Sequence, residues 1–211
     1  MQVSRKQLAM LLKGQRVHIP DLSPIFQDWP QAINCDVDNV RPDTEKLLES
    51  LFPGDRKLEK LKAADFPLFA SCWWPNANED SLRLFVWDDE LDSEIGSLAN
   101  DFNRGQTFRS ETIRYVSYCL GLGDQDPRGE PTSKIIRSFK VIGDAICDAY
   151  TDDPQLAQRQ ILLEQMLFFM DCSEIEQRVR LSGELPTIEQ YWNCRMGTSA
   201  VGVTLAVNEC V

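Results

Sequence analysis

The fold class is decided by one stretch of the sequence, PQLAQRQILLEQMLFFMDCSEIEQRVRL, residues 154–181. Its apolar side chains recur three or four residues apart through Leu162, Met166 and Phe169 and again at Val179. This spacing places them on one face of an α-helix. Gly183, which follows, is the residue type that most often ends a helix. The stretch therefore predicts a long helix with one buried face.

The rest of the chain repeats this pattern in shorter segments. No segment alternates apolar and polar residues as a strand does, and no hairpin dipeptide such as Asn-Gly occurs. Prolines at 20, 24, 30 and 42 punctuate this part of the chain, and residues 1–41 are expected to be irregular. Further helices are expected at 43–52, from 55 onward, and at 79–99, 107–122, 132–151 and 186–207. The sequence thus predicts an all-α protein with an irregular segment at 1–41 and a helical domain at 42–211.

Composition and charge exclude several classes of function. The 211 residues carry 22 basic and 33 acidic side chains, a net charge of −11, which repels nucleic acid and anionic lipid. The seven cysteines are scattered and His18 is the only histidine, so zinc fingers and Ser-His or Cys-His catalytic systems are not expected. No apolar run approaches the roughly 20 residues of a membrane span. A cytoplasmic protein is expected.

An acidic motif follows an apolar segment in the middle of the chain. Asp88 and Asp92 are four residues apart, so a helix places both carboxylates on one face. Two such carboxylates near a helix C-terminus repel each other and oppose the macrodipole, and a bound divalent cation would relieve both effects. Oxygen ligands of this kind suit Mg²⁺. The alternative is a solvated acidic helix face without a ligand.

A second informative stretch lies near the C-terminus. Arg195, Thr198 and Ser199 share a helical face, and the planar guanidinium matches phosphate oxygens. Gly197 and Gly202 weaken a helix by about 1 kcal/mol each and favour a break or kink here. The alternative interpretation is close helix–helix packing through small residues.

Four segments together resemble the fungal branch of class I terpene synthases, the sesquiterpene cyclases. They are Ile19-Pro20-Asp21-Leu22, Cys72-Trp73-Trp74-Pro75, the motif WDDELDSE at 87–94, and Tyr191-Trp192-x-x-Arg195-x-x-Thr198-Ser199. The acidic motif is similar to the family's DDxxD, and the arginine segment is similar to its diphosphate-sensor region.

The resemblance implies a partial class I terpenoid synthase helical bundle around a central pocket. It implies that Asp88 is the main Mg²⁺ ligand and that Asp92 is a second ligand or supports the first from behind. It implies that Arg195 binds the diphosphate of a prenyl substrate such as farnesyl diphosphate and that Thr198 links this residue to the helix break. Ser199, or the backbone at Gly197 and Gly202, would then face the ionising carbon. Aromatic side chains would stabilise the cation formed on ionisation. The candidates are Phe69, Trp73, Phe85 and Trp87, together with Phe168 and Phe169 of the long helix. For each of them core packing is the alternative.

The sequence departs from the family pattern in its second metal motif, N-D-x-x-S-x-x-x-E. Asn100-Asp101 is the only Asn-Asp pair, and Arg104 stands where the motif has Ser. The resemblance therefore implies a chain without the C-terminal part of the family's domain, impaired in catalysis and open to self-association through the apolar run 201–207. The alternative function is a non-enzymatic helical protein that binds a partner.

Overall fold

The computed structural model describes residues 4–25, 27–28, 32–54, 57–73, 98–123, 129–149 and 156–208. Every regular element within these ranges is helical, which confirms the all-α prediction. The helices are α1 (Arg5–Leu12), a 3₁₀ turn (Ser23–Ile25), α2 (Val37–Leu51), α3 (Lys57–Ala63), α4 (Phe66–Trp73), α5 (Phe102–Cys119), α6 (Lys134–Ala149), α7 (Ala157–Ser182), α8 (Ile188–Thr198) and α9 (Val201–Asn208). None of these described helices has the length and apolarity needed to cross a bilayer.

The main core lies between α5, α6, α7 and α9. Helix α7 contributes the side chains predicted from its periodicity, Leu162, Met166 and Phe169, all of which are buried. Val116 of α5 and Ile136 of α6 are almost completely buried against them. A smaller cluster joins α2 to α3 through Leu48, Phe52 and Leu61.

Helices α5 and α7 run antiparallel. In the first half of α5, the Arg109 guanidinium donates to the Ser173 carbonyl in the second half of α7, at 3.1 Å. At the other end, Arg159 of α7 donates to the Leu120 carbonyl, at 3.4 Å. We call the end where α5 begins and α7 ends the Gln177 end of the bundle; α8 also begins there, because residues 183–187 join it to α7.

The N-terminal segment differs from the irregular structure expected at 1–41. Ser4 and Gln7 form a capping box that begins α1, with Gln7 N–H donating to Ser4 Oγ at 3.3 Å. Helix α2 begins at Val37, before the expected start, and contains Pro42. Its buried stripe of Val40, Thr44 and Leu48 continues across the proline, so tertiary packing outweighs the local break signal.

The last predicted helix is divided into α8 and α9 at Ser199–Ala200. Ala200 has φ +56°, a left-handed conformation that ends α8 and redirects the chain. Helix α9 buries Val203 and Val207 in the main core, whereas Val201 and Leu205 remain exposed. The apolar run 201–207 is therefore only partly buried within the described fold.

The predicted helix at 79–99 lies outside the described residues except for its last two, Leu98 and Ala99. These two are buried in a turn that leads into α5. The Asp101 side chain caps α5 by accepting a hydrogen bond from Arg104 N–H at 3.0 Å. The Asn-Asp pair at 100–101 thus begins a helix, as residues of these types commonly do.

Candidate active site

A cavity of about 270 Å³ lies between the last turns of α7, the 183–187 connection and α8. Helix α8 contributes Arg195, Thr198 and Tyr191 to its wall, and α7 contributes Glu176. Arg5 of α1 also lines it. Two residues predicted from sequence, Arg195 and Thr198, therefore meet at one cavity at the Gln177 end.

The Arg195 guanidinium is available to a ligand at this cavity. Its side chain is exposed, and no carboxylate of the described residues forms an ion pair with it. Its place in the last turn of α8 favours a cation there, because the helix dipole is negative at this end. A guanidinium in this state can bind two oxygens of a phosphate group together.

Thr198 supplies the second polar group. The residue is only 6% exposed, and its Oγ1 has no hydrogen-bond partner among the described residues. A buried hydroxyl without a partner costs about 1–3 kcal/mol. A ligand or an ordered water that bonded to Oγ1 would remove this cost.

Ser199 has a different environment from its two neighbours in the predicted site. Its Oγ donates to the Met196 carbonyl at 3.2 Å, a contact within its own helix, and it is not part of the cavity wall. The structure therefore brings Arg195 and Thr198 together and leaves Ser199 at the helix break.

The glycines at the break also serve close packing, the alternative interpretation of this stretch. A Cβ added at Gly197 would lie 2.6 Å from Cβ of Cys172 and 3.2 Å from the Phe168 carbonyl on α7. A Cβ at Gly202 would overlap the Gln165 side chain. Helix α8 can approach α7 this closely only with glycine at position 197, whereas the flexible Gln165 side chain can move away from a Cβ at position 202. Packing at Gly197 therefore fixes where Arg195 and Thr198 lie.

A buried polar network at the Gln177 end was not predicted from sequence. Gln177 is completely buried, and its Oε1 accepts a hydrogen bond from Arg109 Nη2 at 2.7 Å. Its Nε2 donates to the carbonyls of Leu98 and Ala99, at 2.9 and 3.3 Å. Positions 169, 173 and 177 are four apart on the buried stripe of α7, so a glutamine on an apolar stripe was the signal available in the sequence.

Beside this network, Glu174 joins α7 to α5 at the surface. It accepts hydrogen bonds from Arg178 at 2.6 Å and from Gln106 at 2.7 Å. These contacts, chiefly the one with Arg178, hold the pKa of Glu174 below its usual value. The Arg178 guanidinium also lies 4.4 Å from the centre of the Phe102 ring.

The other predicted site residues are only partly within the described structure. Phe69 of α4 and Phe168 of α7 are about half exposed, and Phe169 is buried in the main core. Trp73 is the last residue of α4, and its side chain lies outside the described part of the structure. Asp88, Asp92, Phe85 and Trp87 lie outside the described residues altogether. Among the described residues, no cluster of three or more His, Cys, Asp or Glu side chains could hold a metal ion.

Comparison with known proteins defines the class of this helical bundle. Residues 82–211, more than half of the chain, match the family described as terpene synthase family 2, C-terminal metal binding. The sesquiterpene cyclase hepA of Aspergillus oryzae is 34% identical over 97% of this chain. The terpene cyclase braA of Annulohypoxylon truncatum is 21% identical, also over 97% of this chain. The chain therefore belongs to the terpene synthase family, in its fungal class I branch.

The solved structures agree in fold. The crystal structure of the SVS_A2 protein from ancestral sequence reconstruction superposes with a TM-score of 0.68 and 15% sequence identity, covering 86% of this chain and 55% of that one. The chain spans 58% of hepA and 56% of braA, a little more than half the length of these relatives.

Proposed function

We propose that this chain is a terpene cyclase-like protein that binds a prenyl diphosphate together with Mg²⁺, ionises it and releases diphosphate. The observation that carries the proposal is that one cavity is lined by both Arg195 and Thr198. Among the described residues, the exposed Arg195 has no carboxylate partner and the buried Thr198 hydroxyl has no hydrogen-bond partner. Both groups suit an oxyanion. The family's metal-binding description supports the same chemistry.

Asp88 and Asp92 would hold the metal, because they are the carboxylates that a helix places on one face. Leu98 and Ala99, which follow Asp92 by six and seven residues, lie at the Gln177 end, where the Arg195 cavity also lies. The chain that follows the aspartate motif therefore reaches the end of the bundle where the Arg195 cavity lies, which supports a role for both in one site. When bound, Mg²⁺ would neutralise charge on the departing diphosphate.

The chain's own residues have three tasks in this proposal. Arg195 binds the diphosphate oxygens, Thr198 donates its hydroxyl to them, and apolar side chains exclude water from the allylic cation. Farnesyl diphosphate is the proposed substrate, supported by the sesquiterpene cyclase name of hepA. A cytoplasmic location is also proposed, supported by the absence of a disulfide among the described cysteines.

The test is thermal stabilisation by inorganic diphosphate with Mg²⁺. Asp88→Asn should reduce this stabilisation more than Asp89→Asn or Glu90→Gln does, because Asp88 and Asp92 share a helical face. Arg195→Lys keeps the charge but loses the fork, so diphosphate affinity should fall about tenfold. Equal effects from every acidic substitution, or full binding by Arg195→Lys, would refute the site.

A second candidate function is a helical protein that binds another chain and lacks catalysis. It is favoured by the exposed apolar side chains of α8, where Ile188 is 77%, Trp192 58% and Met196 66% exposed, and by Leu205 of α9. Self-association through this surface would appear in light scattering at micromolar concentration. A monodisperse chain that releases diphosphate from farnesyl diphosphate would favour the cyclase over this alternative.

A further inference from the structure

We propose that Arg5 is a second diphosphate-binding residue, which joins Arg195 at the same cavity, so that a bound diphosphate fastens helix α1 to the bundle. The inference rests on the proposed function, because it adds a residue to that same anion site. Both arginines line the cavity, although they come from opposite ends of the sequence.

The backbone at the start of α1 is held beside the cavity. Arg5 N–H donates to the Gly183 carbonyl at 3.3 Å, and Gly183 ends α7 in a left-handed conformation with φ +70°. Glu184 and Leu185, which follow this glycine, line the cavity. The capping box at Ser4 makes the chain helical from Arg5 onward. Arg5 is therefore fixed next to the connection that forms one wall of the cavity.

The Arg5 side chain is available to a ligand. The residue is exposed, and its guanidinium forms no ion pair or hydrogen bond within the described part of the chain. Arg41 of α2 differs, because its guanidinium pairs with Asp38 and Asp65 at 2.6 and 3.1 Å. Arg5 and Arg195 thus bring to one cavity two cations that no described carboxylate neutralises.

The charge of the cavity wall explains why a second arginine is needed. Two carboxylates, Glu176 and Glu184, also line the cavity. With Arg195 alone, negative charge would be in excess and would repel a diphosphate, in a chain whose net charge is already −11. Arg5 balances these two carboxylates. The apolar neighbours Ile175 and Val179 lower the local dielectric, which strengthens each charge interaction.

Two arginines also suit the shape of a diphosphate. A guanidinium can bind two oxygens of one phosphoryl group together, and a diphosphate offers two such groups. Arg195 and Arg5 can each take one of them, whereas inorganic phosphate offers a single group. Arg5 should therefore contribute to the preference for diphosphate over phosphate as well as to affinity.

A ligand between the two arginines would stabilise α1. All eight residues of this helix remain at least partly exposed, and a helix this short is marginal on its own. A diphosphate bound to Arg5 of α1 and Arg195 of α8 would link the two helices. Saturating diphosphate should then slow cleavage by trypsin after Lys13, which directly follows α1.

Arg5→Gln is the main test, measured by isothermal titration with inorganic diphosphate at one fixed Mg²⁺ concentration. The apparent dissociation constant for diphosphate should rise about tenfold, and that for inorganic phosphate by less than about threefold. Lys6→Gln is the matched control, because it removes the same charge from the adjacent exposed residue, which does not line the cavity. Its diphosphate affinity should stay within about twofold of the wild type.

Two further measurements distinguish binding from a change in α1. Glu184→Gln removes a negative charge from the wall, so its dissociation constant for diphosphate should fall about threefold. In Arg5→Gln, saturating diphosphate should no longer slow cleavage after Lys13. Arg5→Lys keeps the charge and the helix but loses the planar fork, so its diphosphate affinity should drop about threefold.

The outcomes separate this inference from the proposed function. Equal losses from Arg5→Gln and Lys6→Gln would indicate a general field of positive charge and overturn the inference. So would wild-type affinity in Arg5→Gln when Arg195→Gln has lost diphosphate binding, and that result would leave the proposed function intact. A wild-type chain that binds no diphosphate would overturn the proposed function, and this inference with it.

Discussion

Two polar regions lie at the same end of the bundle and differ in whether their polar groups have hydrogen-bond or ion-pair partners among the described residues. In the Gln177 network, the amide has partners at both ends and the Arg109 guanidinium bridges two helices. At the Arg195 cavity, a few residues away, an exposed guanidinium has no described ion-pair partner and a buried hydroxyl has no described acceptor or donor.

This difference distinguishes a framework, whose polar groups are bonded within the chain and support the fold, from a site, whose polar groups are available to a ligand. A buried polar group that finds its partners within the chain rigidifies the fold, whereas one without a partner carries a cost that only a ligand or water can remove. Removing a group from the network should therefore destabilise the protein. Removing an unsatisfied group from the cavity should not, although it should weaken ligand binding.

The largest effect is expected for Arg109→Leu. The change leaves Gln177 Oε1 and the Ser173 carbonyl buried without their donor, so unfolding free energy in urea should fall by about 3 kcal/mol. Arg178→Leu is the matched control, because it removes an arginine that pairs with Glu174 at the surface. Its cost should stay below about 1 kcal/mol. Similar losses from both would show that the network is not a framework.

The helices of this fold were predicted from the 3.6-residue period of their apolar side chains, and the prediction was most accurate where many residues keep that period. The main helix was expected at 154–181, and α7 occupies Ala157–Ser182. It was least accurate at the start of α2, where Pro42 favoured an irregular segment up to residue 41 although the buried stripe of the helix extends across this proline. Local break signals do not report the tertiary contacts that override them.

The candidate site was predictable in part for a related reason. Arg195 and Thr198 share a helical face, so their spacing alone placed them together. Gln177 and Leu98 are 79 residues apart, and no local sequence pattern indicates that the Gln177 amide donates to the Leu98 carbonyl. Contacts between residues so far apart in the sequence depend on tertiary packing, which local residue spacing does not predict.

Gly197→Ala should give the next largest effect. The new Cβ would lie 2.6 Å from Cβ of Cys172 and would press α8 away from α7, at a cost of about 2 kcal/mol. Because α8 carries Arg195, diphosphate binding should weaken as well. Asn193→Ala, at an exposed position of the same helix, should leave both quantities nearly unchanged. If Gly197→Ala is tolerated, the cavity does not depend on this close approach.

A smaller effect is expected at alkaline pH, at the end of α5 remote from both regions. Burial raises the pKa of Cys119 to about 11 and that of Tyr115 to about 12. The unfolded chain loses these protons at lower pH than the folded chain, and the unfolded thiol has a pKa of 9.0. Stability is therefore full below about pH 8 and declines as pH rises toward 11. The Cys119 share should reach about 1 kcal/mol by pH 10.

Unfolding in urea at pH 8 and pH 10 measures this decline. Cys119→Ala should reduce the difference in unfolding free energy between the two pH values by the thiol's share. Cys147→Ala, a partly exposed thiol nearby, serves as the control. A decline that is unchanged by Cys119→Ala would mean that this end of the core is more hydrated than its burial indicates.

The smallest effect on stability has the opposite sign and tests the comparison most directly. Thr198→Val keeps the shape of the side chain and removes a buried hydroxyl that has no described partner, so the unliganded protein should gain about 0.5 kcal/mol. The same variant should lose part of its stabilisation by Mg²⁺ and diphosphate, because the hydroxyl that would bond to the ligand is gone. Stability without ligand and stabilisation by ligand should thus move in opposite directions. A Thr198→Val variant that is destabilised without ligand would show that its hydroxyl belongs to the framework, as the Gln177 amide does, and the distinction between the two regions would fail at this residue.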